Sequence, residues 1–401
     1  MNIRPTILYP VLAAALILAL TVGVRMSMSL FISPLNTHTG LGLAAISLAF
    51  AVAQLMWGIT QPIAGALADK HGSGRVLSCG VALIAIGMVL IPHAQSTWQL
   101  ILFVGVLSAG GAGAAGMGVL MAAVARRIPA DKRGMASGII NAGASFGQFA
   151  IAPLAQFLTG AAGWVASITT LGLITLAALP LAWVLRGKTQ PADTAAGERD
   201  LGAAINKALG DRNYLLLSAG FFVCGFHVAF IATHLPGVVA ACQLPPEVGA
   251  WSLAMVGLFN IAGSFAAGWA IGRWRMKSIL ALLYAARAVA VVLFLLLPKT
   301  TTVMLGFAAI LGFTFLATIP PTIGLVVKLH GMRYMATLFG IAMLSHQAGG
   351  FLGAWLGGRL FEATGGYDWM WYLDIVLAIG AALIHLPISE SPLKQLAPNP
   401  A

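Results

Sequence analysis

Charge is scarce in this chain. Of its 401 residues only 8% are charged, and 11 acids stand against 22 lysines and arginines, whereas a soluble protein of this size carries roughly a quarter charged residues. So little charge excludes an ordinary water-soluble surface. Cysteine is scarce too. Cys79, Cys224 and Cys242 have neither paired nor metal-like spacing, which excludes a disulfide framework and a zinc site. No His-Glu-x-x-His, nucleophile elbow or acidic metal cluster occurs, so no catalytic residue, metal or cofactor is expected and an intramembrane enzyme is disfavoured. The glycine run 110–116 lacks a preceding strand and a closing Lys-Ser/Thr, and reads as close helix packing rather than a phosphate cradle. The apolar stretch Leu8 to Phe31 follows a single basic residue, Arg4, with no convincing cleavage site, and is expected to be an uncleaved first span.

What the chain has is apolar length. Hydrophobic residues make up 59% of it, 47 residues are glycine, and the mean hydropathy is +0.92. Small residues let membrane helices approach closely. The net charge of +11 then belongs to loops at an anionic lipid surface rather than to a nucleic-acid interface. Twelve apolar runs are long enough to span a bilayer, at 8–33, 43–67, 76–94, 98–125, 134–158, 163–185, 214–236, 248–271, 277–297, 302–327, 335–361 and 369–388. We number them spans 1 to 12. All 22 lysines and arginines except Arg25, Arg287, Lys299 and Arg359 lie at the termini or in loops after even-numbered spans. The positive-inside rule then places both termini in the cytoplasm, in an inner-membrane protein.

The halves repeat. Gly65-Ala-Leu-Ala-Asp69-Lys70-His-Gly-Ser-Gly-Arg75, after span 2, is echoed by Gly268-Trp-Ala-Ile-Gly272-Arg273 after span 8. Arg133-Gly-Met-Ala-Ser137, entering span 5, is echoed by Arg333-Tyr-Met-Ala-Thr337, entering span 11. The offsets, 203 and 200 residues, agree on one duplication. Residues 1–187 and 213–401 are expected to form two six-helix bundles joined by a cytoplasmic linker, 188–212. The first loop resembles the signature between the second and third helices of the major facilitator superfamily, with Gly65, Asp69, Lys70, Gly72 and Arg75 in matching places and Gly74 where the pattern has a basic residue. That resemblance implies an all-α membrane protein of twelve helices in two pseudo-symmetric bundles. Gly65, Asp69, Arg75, Arg126, Arg127 and Arg133 are the expected cytoplasmic gate, Asp69 capping a neighbouring helix and pairing with arginines.

A narrower resemblance, to bacterial transporters of the monocarboxylate type, rests on Gly23-Val-Arg25-Met-Ser-Met-Ser-Leu-Phe31, Gln54-Leu-Met-Trp57-Gly-Ile-Thr-Gln61-Pro62 and Cys224-Gly-Phe-His227-Val-Ala-Phe-Ile-Ala-Thr-His234. His346-Gln347-Ala-Gly-Gly-Phe-Leu-Gly353 and Tyr367-Asp368-Trp-Met-Trp-Tyr-Leu-Asp374 extend it. It implies carriage of small organic anions, often with a proton. Members handling lactate- or oxalate-like anions place an arginine in span 8; here that place is near Asn260, and no basic residue precedes Arg273.

Charges inside spans need a partner or a task. Arg25 lies about 25 Å along span 1, at ~1.5 Å per residue, and either grips a carboxylate with its planar fork or snorkels to the headgroups. Arg287 in span 9 and Asp374 in span 12 are expected to form a structural ion pair, with substrate contact by Arg287 as the alternative. His227, His346 and Asp374 are the proton-coupling candidates, histidine because it titrates near neutrality; packing is the plainer role for each histidine. Gln54, Trp57 and Gln61 share one face of span 2 and, like Asn141 and Gln148 in span 5, either glue helices or line a route. The expected binding set is Arg25, Asn141, Gln148, His227, Asn260 and His346. The expected function is secondary active transport of a small organic anion, possible with a proton as second partner, by a monomer in the lipid bilayer. Drug export and a non-transporting sensor are the rival readings.

Overall fold

A computed structural model describes residues 5–129, 132–187, 198–331 and 334–390. Among the described residues every regular element is helical. Spans 1 to 4 run Leu8–Thr39, Leu43–His71, Ser73–His93 and Thr97–Ala125, and spans 7 to 10 run Arg212–Ala241, Pro246–Ile271, Met276–Leu296 and Thr301–His330, with span 12 at Asp368–His385. The stretch Arg133–Val184 holds spans 5 and 6, because the helix kinks at Gly163, whose φ of +82° suits a residue without Cβ. Span 11 is the 30-residue helix Met335–Thr364, its apolar character diluted by glycines and by Ser345, His346 and Gln347. The twelve expected spans are therefore all present, with ends shifted by up to several residues.

Two spans are irregular. Span 4 contains a π-helical stretch, Ile101–Ala109, and a break before Met117. Span 10 divides into Thr301–Thr314 and Ile319–His330. Pro320 and Pro321 sit at the start of the second segment, where missing N–H donors cost least. The break thus precedes the prolines.

Each half is tied by one intimate helix pair. In the first, span 5 lies on span 1, and a Cβ at Gly147 would strike the Ala19 carbonyl. In the second, span 11 lies on span 7, and a Cβ at Gly225 would strike the His346 carbonyl. Only glycine permits such backbone approach, which compensates within lipid for the missing hydrophobic drive between helices. Two apolar cores fill the first six spans, and one large core, built around Phe221, Phe226, Phe230, Tyr284 and Trp371, fills the last six. Exposed Tyr9, Phe157, Trp183, Leu282 and Trp369 face outward, as a lipid-facing surface requires.

The expected linker includes a helix, Glu198–Leu209, whose Ala208 is fully buried. Residues 188–197 of that linker lie outside the described residues. The halves meet where span 2 passes span 11 and span 5 passes span 8. Gly58 abuts Gln347, and Gly257 abuts the Ser145 carbonyl. At the end opposite the basic loops, Glu362 Oε1 accepts a 2.8 Å hydrogen bond from Ala44 N. This carboxylate from span 11 caps the exposed first turn of span 2.

Candidate functional site

Span 1 loosens at its far end, passing from the α-helix Pro5–Ser27 into a 3-10 turn, Met28–Phe31. Arg25 sits in the last α-helical turn. Its Nη2 donates to Gln54 Oε1 at 2.6 Å, and its guanidinium carbon lies 4.6 Å from the Trp57 ring centroid. Both partners come from the one polar face of span 2. Among the described residues no carboxylate pairs with Arg25. An amide oxygen and an aromatic face orient the fork without neutralising it, so its positive charge stays available.

Arg25 lines a narrow cleft with about 530 Å³ of empty space. Polar groups in the wall are Thr21, Arg25, Gln54, Ser108 and Thr233; Met28, Phe50, Ile84 and Met88 represent the larger apolar share. Span 7 contributes only Ala232 and Thr233; every other lining residue belongs to spans 1 to 4. A mostly apolar pocket with one fixed charge and a few hydroxyls is the usual form of a small-molecule site.

Of the other expected binding residues, none lines this cleft. Gln148 donates across the halves to the Leu253 carbonyl at 3.1 Å. Asn260 donates to Ser145 Oγ at 2.9 Å and accepts from Leu316 N at 3.1 Å. Both amides act as interhelical ties. Asn141 is exposed, two turns nearer the basic end than Gln148. His346 is buried against the Phe221 ring, 4.7 Å between centroids, and His227 lies within the second half. Gln54, Ser108 and Thr233 were not in the expected set. For Gln54 the signal was its place on the Gln54–Trp57–Gln61 face; the other two carry none.

The expected Arg287–Asp374 contact is not formed. Arg287 Nη2 donates to the carbonyls of Thr314 and of Phe315, the latter at 2.7 Å, and Nε donates to Thr314 Oγ1 at 3.3 Å. Its Nη1 lies 3.7 Å from Cys224 Sγ. The guanidinium is drawn to the carbonyls that the break in span 10 leaves without helical partners. Asp374 turns instead to His227, with Oδ1 3.0 Å from Nε2. Arg287 still acts on both through space.

At the basic end, Arg126 Nη2 donates to Ser73 Oγ at 2.8 Å and to the Gly187 carbonyl at 3.3 Å. Arg127 donates to the carbonyls of Val184 and Arg186, the latter at 2.6 Å. Ser73 Oγ donates to the Leu185 carbonyl at 2.5 Å. These arginines therefore brace the ends of spans 3, 4 and 6 within one half. Burial lowers the Arg126 pKa, neighbouring Arg127 adds to this, and Asp69 opposes it. Asp69, Arg75 and Arg133 are exposed, and Gly65 has open space beside it. Arg333, opposite them in the repeat, lies outside the described residues.

The sequence model of the Major Facilitator Superfamily matches residues 13–354. The chain is 24% identical over 372 residues, 90% of each protein, to an uncharacterized MFS-type transporter, YcxA, of Bacillus subtilis. It is 28% identical over 339 residues to monocarboxylate transporter 13 of Rattus norvegicus, covering 82% of this chain and 76% of that one. Among solved structures, an inward-facing bacterial homolog of the human lysosomal transporter Spinster superposes with a TM-score of 0.74 at 18% identity, over 96% of this chain and 97% of the other.

Proposed function

Because this chain belongs to the major facilitator superfamily, a family of membrane transporters, we propose that it moves a small organic anion, a carboxylate above all, across the inner membrane by alternating access. One observation carries the reading: Arg25 presents an unneutralised guanidinium to a largely apolar cleft, held by Gln54 and Trp57. A carboxylate would complete the pair through two parallel N–H···O bonds, with its organic body against Met28, Phe50 and Met88. The similarity to a monocarboxylate transporter supports the same class. A hydrophobic cation, the cargo of the drug-export reading, would meet repulsion from Arg25.

In this reading residues 1–187 and 213–401 rock as two bundles about the cleft, joined by 188–212. Both termini face the cytoplasm, on the side of the basic loops. Gly65, Asp69, Arg75 and Arg133 gate that side, with Arg126 acting on Asp69 and, like Arg127, holding the first half's loop ends in the shape the gate needs. The working unit is a monomer. Gln148 and Asn260 set the spacing of spans 5 and 8 across the halves, and so act on the cargo by positioning.

Thermal-shift measurements on purified protein test the cargo class, with acetate, benzoate and oxalate against tetraphenylphosphonium. Benzoate should raise the melting temperature of the native protein and leave Arg25→Ala unmoved. Stabilisation by tetraphenylphosphonium alone, equal in both proteins, would overturn the organic-anion reading.

A further inference from the structure

The second half buries a polar cluster that the cleft does not use. Its residues come from five helices. Span 7 supplies Cys224 and His227, span 9 Tyr284 and Arg287, span 10 Thr314 and Thr318, span 11 His346, and span 12 Asp374. Arg287, Asp374 and His227 are 2%, 2% and 4% exposed. Arg287 is fully engaged by the Thr314 and Phe315 carbonyls and by Cys224, whose sulfur also lies 3.1 Å from Thr318 Oγ1. His227 Nε2 and Asp374 Oδ1 are 3.0 Å apart, and both atoms, with His227 Nδ1, are buried without a well-directed hydrogen bond among the described residues. Both His346 nitrogens are likewise buried and unpartnered. An acid, an imidazole and a guanidinium sealed in a membrane bundle cost stability that packing alone would not retain.

We infer that the His227–Asp374 pair is a binding site for one proton, separate from the cargo cleft and lodged wholly in the second half. The inference rests on the organic-anion reading for what the proton accompanies, and the charge count shows why the two travel together. With Asp374 ionised and His227 neutral, the pair and Arg287 sum to zero. One proton added to the pair, on the Asp374 carboxylate, brings the cluster to +1. In the cleft, empty Arg25 carries +1, and Arg25 with a monoanion carries zero. The empty protein and the protein holding both anion and proton therefore carry the same buried charge, while binding either alone changes it. A low-dielectric interior penalises the +2 that the proton alone would bring, so a bound anion favours loading of the pair.

The geometry also gives a route for coupling. His227 and Thr233 lie on one helix, roughly 9 Å apart along its axis at ~1.5 Å per residue. Arg287, next to the pair, ties the broken backbone of span 10. Loading the Asp374 carboxylate removes a negative charge that acts on Arg287, which alters the pull on that tie. The titratable groups around the pair are Arg287 on span 9, which acts on both members, Cys224 on span 7 and Tyr284 on span 9 beside Arg287, and His346 on span 11 beside Cys224; span 10 presents Thr314 and Thr318, which do not titrate. His385, on span 12, stacks on Tyr284 at 5.2 Å between centroids.

The test uses the full-length protein in lipid, without cargo. Infrared difference spectra between acid and alkaline buffer should contain a protonated-carboxyl band that vanishes in Asp374→Asn and shifts in His227→Gln. An unchanged difference spectrum in Asp374→Asn would overturn the site; should that variant fail to fold, an unshifted band in His227→Gln does so. In proteoliposomes, benzoate accumulation driven by an inward proton gradient should be lost in Asp374→Asn while benzoate counterflow persists. Accumulation at the native level in that variant would equally refute the inference. The spectroscopic arm needs no cargo, so its failure is distinct from failure of the organic-anion reading.

Discussion

The contact between Glu362 and span 2 makes a quantitative prediction about which side of the protein opens. Glu362 Oε1 accepts from Ala44 N at 2.8 Å and is carried by the opposite half. When the halves part at that end, the Ala44 amide passes to water. A carboxylate at a helix N-terminus contributes about 0.3–1 kcal/mol at exposed sites, and a hydrogen bond to a charged group about 1.5–3 kcal/mol when shielded. Glu362 is exposed, so water replaces much of the bond and the net contribution belongs in the lower range, about 0.3–1 kcal/mol. Glu362→Ala should therefore raise the population open at this end by about two- to fivefold. Glu362→Gln, which keeps an acceptor but no charge, should fall between. Spin labels at the exposed positions Thr37 and Ala363, one in each half, would report the populations by pulsed dipolar spectroscopy. Cys79 and Cys242 would first be replaced by serine; Cys224 is buried and can stay. Identical distance distributions for native protein and Glu362→Ala would refute the reasoning.

Two further outcomes follow from contacts already described. Asn260→Ala leaves the Leu316 amide without its acceptor beside the break in span 10, and should lower stability by about 0.6–1.7 kcal/mol; the thermal melt should shift while the Arg25-dependent benzoate response survives. Glu390 loses ionisation tendency through burial but gains more from Lys328, 2.8 Å away, and from the Lys277 amide, so its pKa is lowered overall. A lowered acid stabilises the folded state above its unfolded pKa, and that contribution is lost as pH falls through the folded value. Thermal melts on acidification should show a small loss, below about 1 kcal/mol because Lys328 is partly exposed, and Glu390→Gln should abolish that pH dependence.

The spans were legible because membrane length, apolar runs and basic loops all act along the chain. Gly163 was not, since a kink between two apolar helices leaves hydropathy continuous. Arg25 stood out because a charge in an apolar run is conspicuous wherever the helix faces. Its partner Gln54 was visible as part of a stripe, but which neighbour a stripe meets depends on rotation about the helix axis. The same limit produced the Arg287–Asp374 expectation: depth along each helix was compatible, yet the carbonyls freed at Thr314 and Phe315 competed for the guanidinium and won. Gln148 and Asn260 read equally as pore-lining or as ties, and only their partners decide between these. Glu362 gave no signal, because an acid at a span end looks like any loop acid.

All but two residues of the cleft belong to the first half, the exceptions being Ala232 and Thr233 of span 7. Under a rocking motion the cargo is then a passenger of one half, and the other supplies a sliding door. Substitutions in spans 1 to 4 should set which molecule boards. Substitutions at Thr233 should alter how long the door stays shut. Affinity and turnover could be tuned separately, on opposite sides of a single cavity.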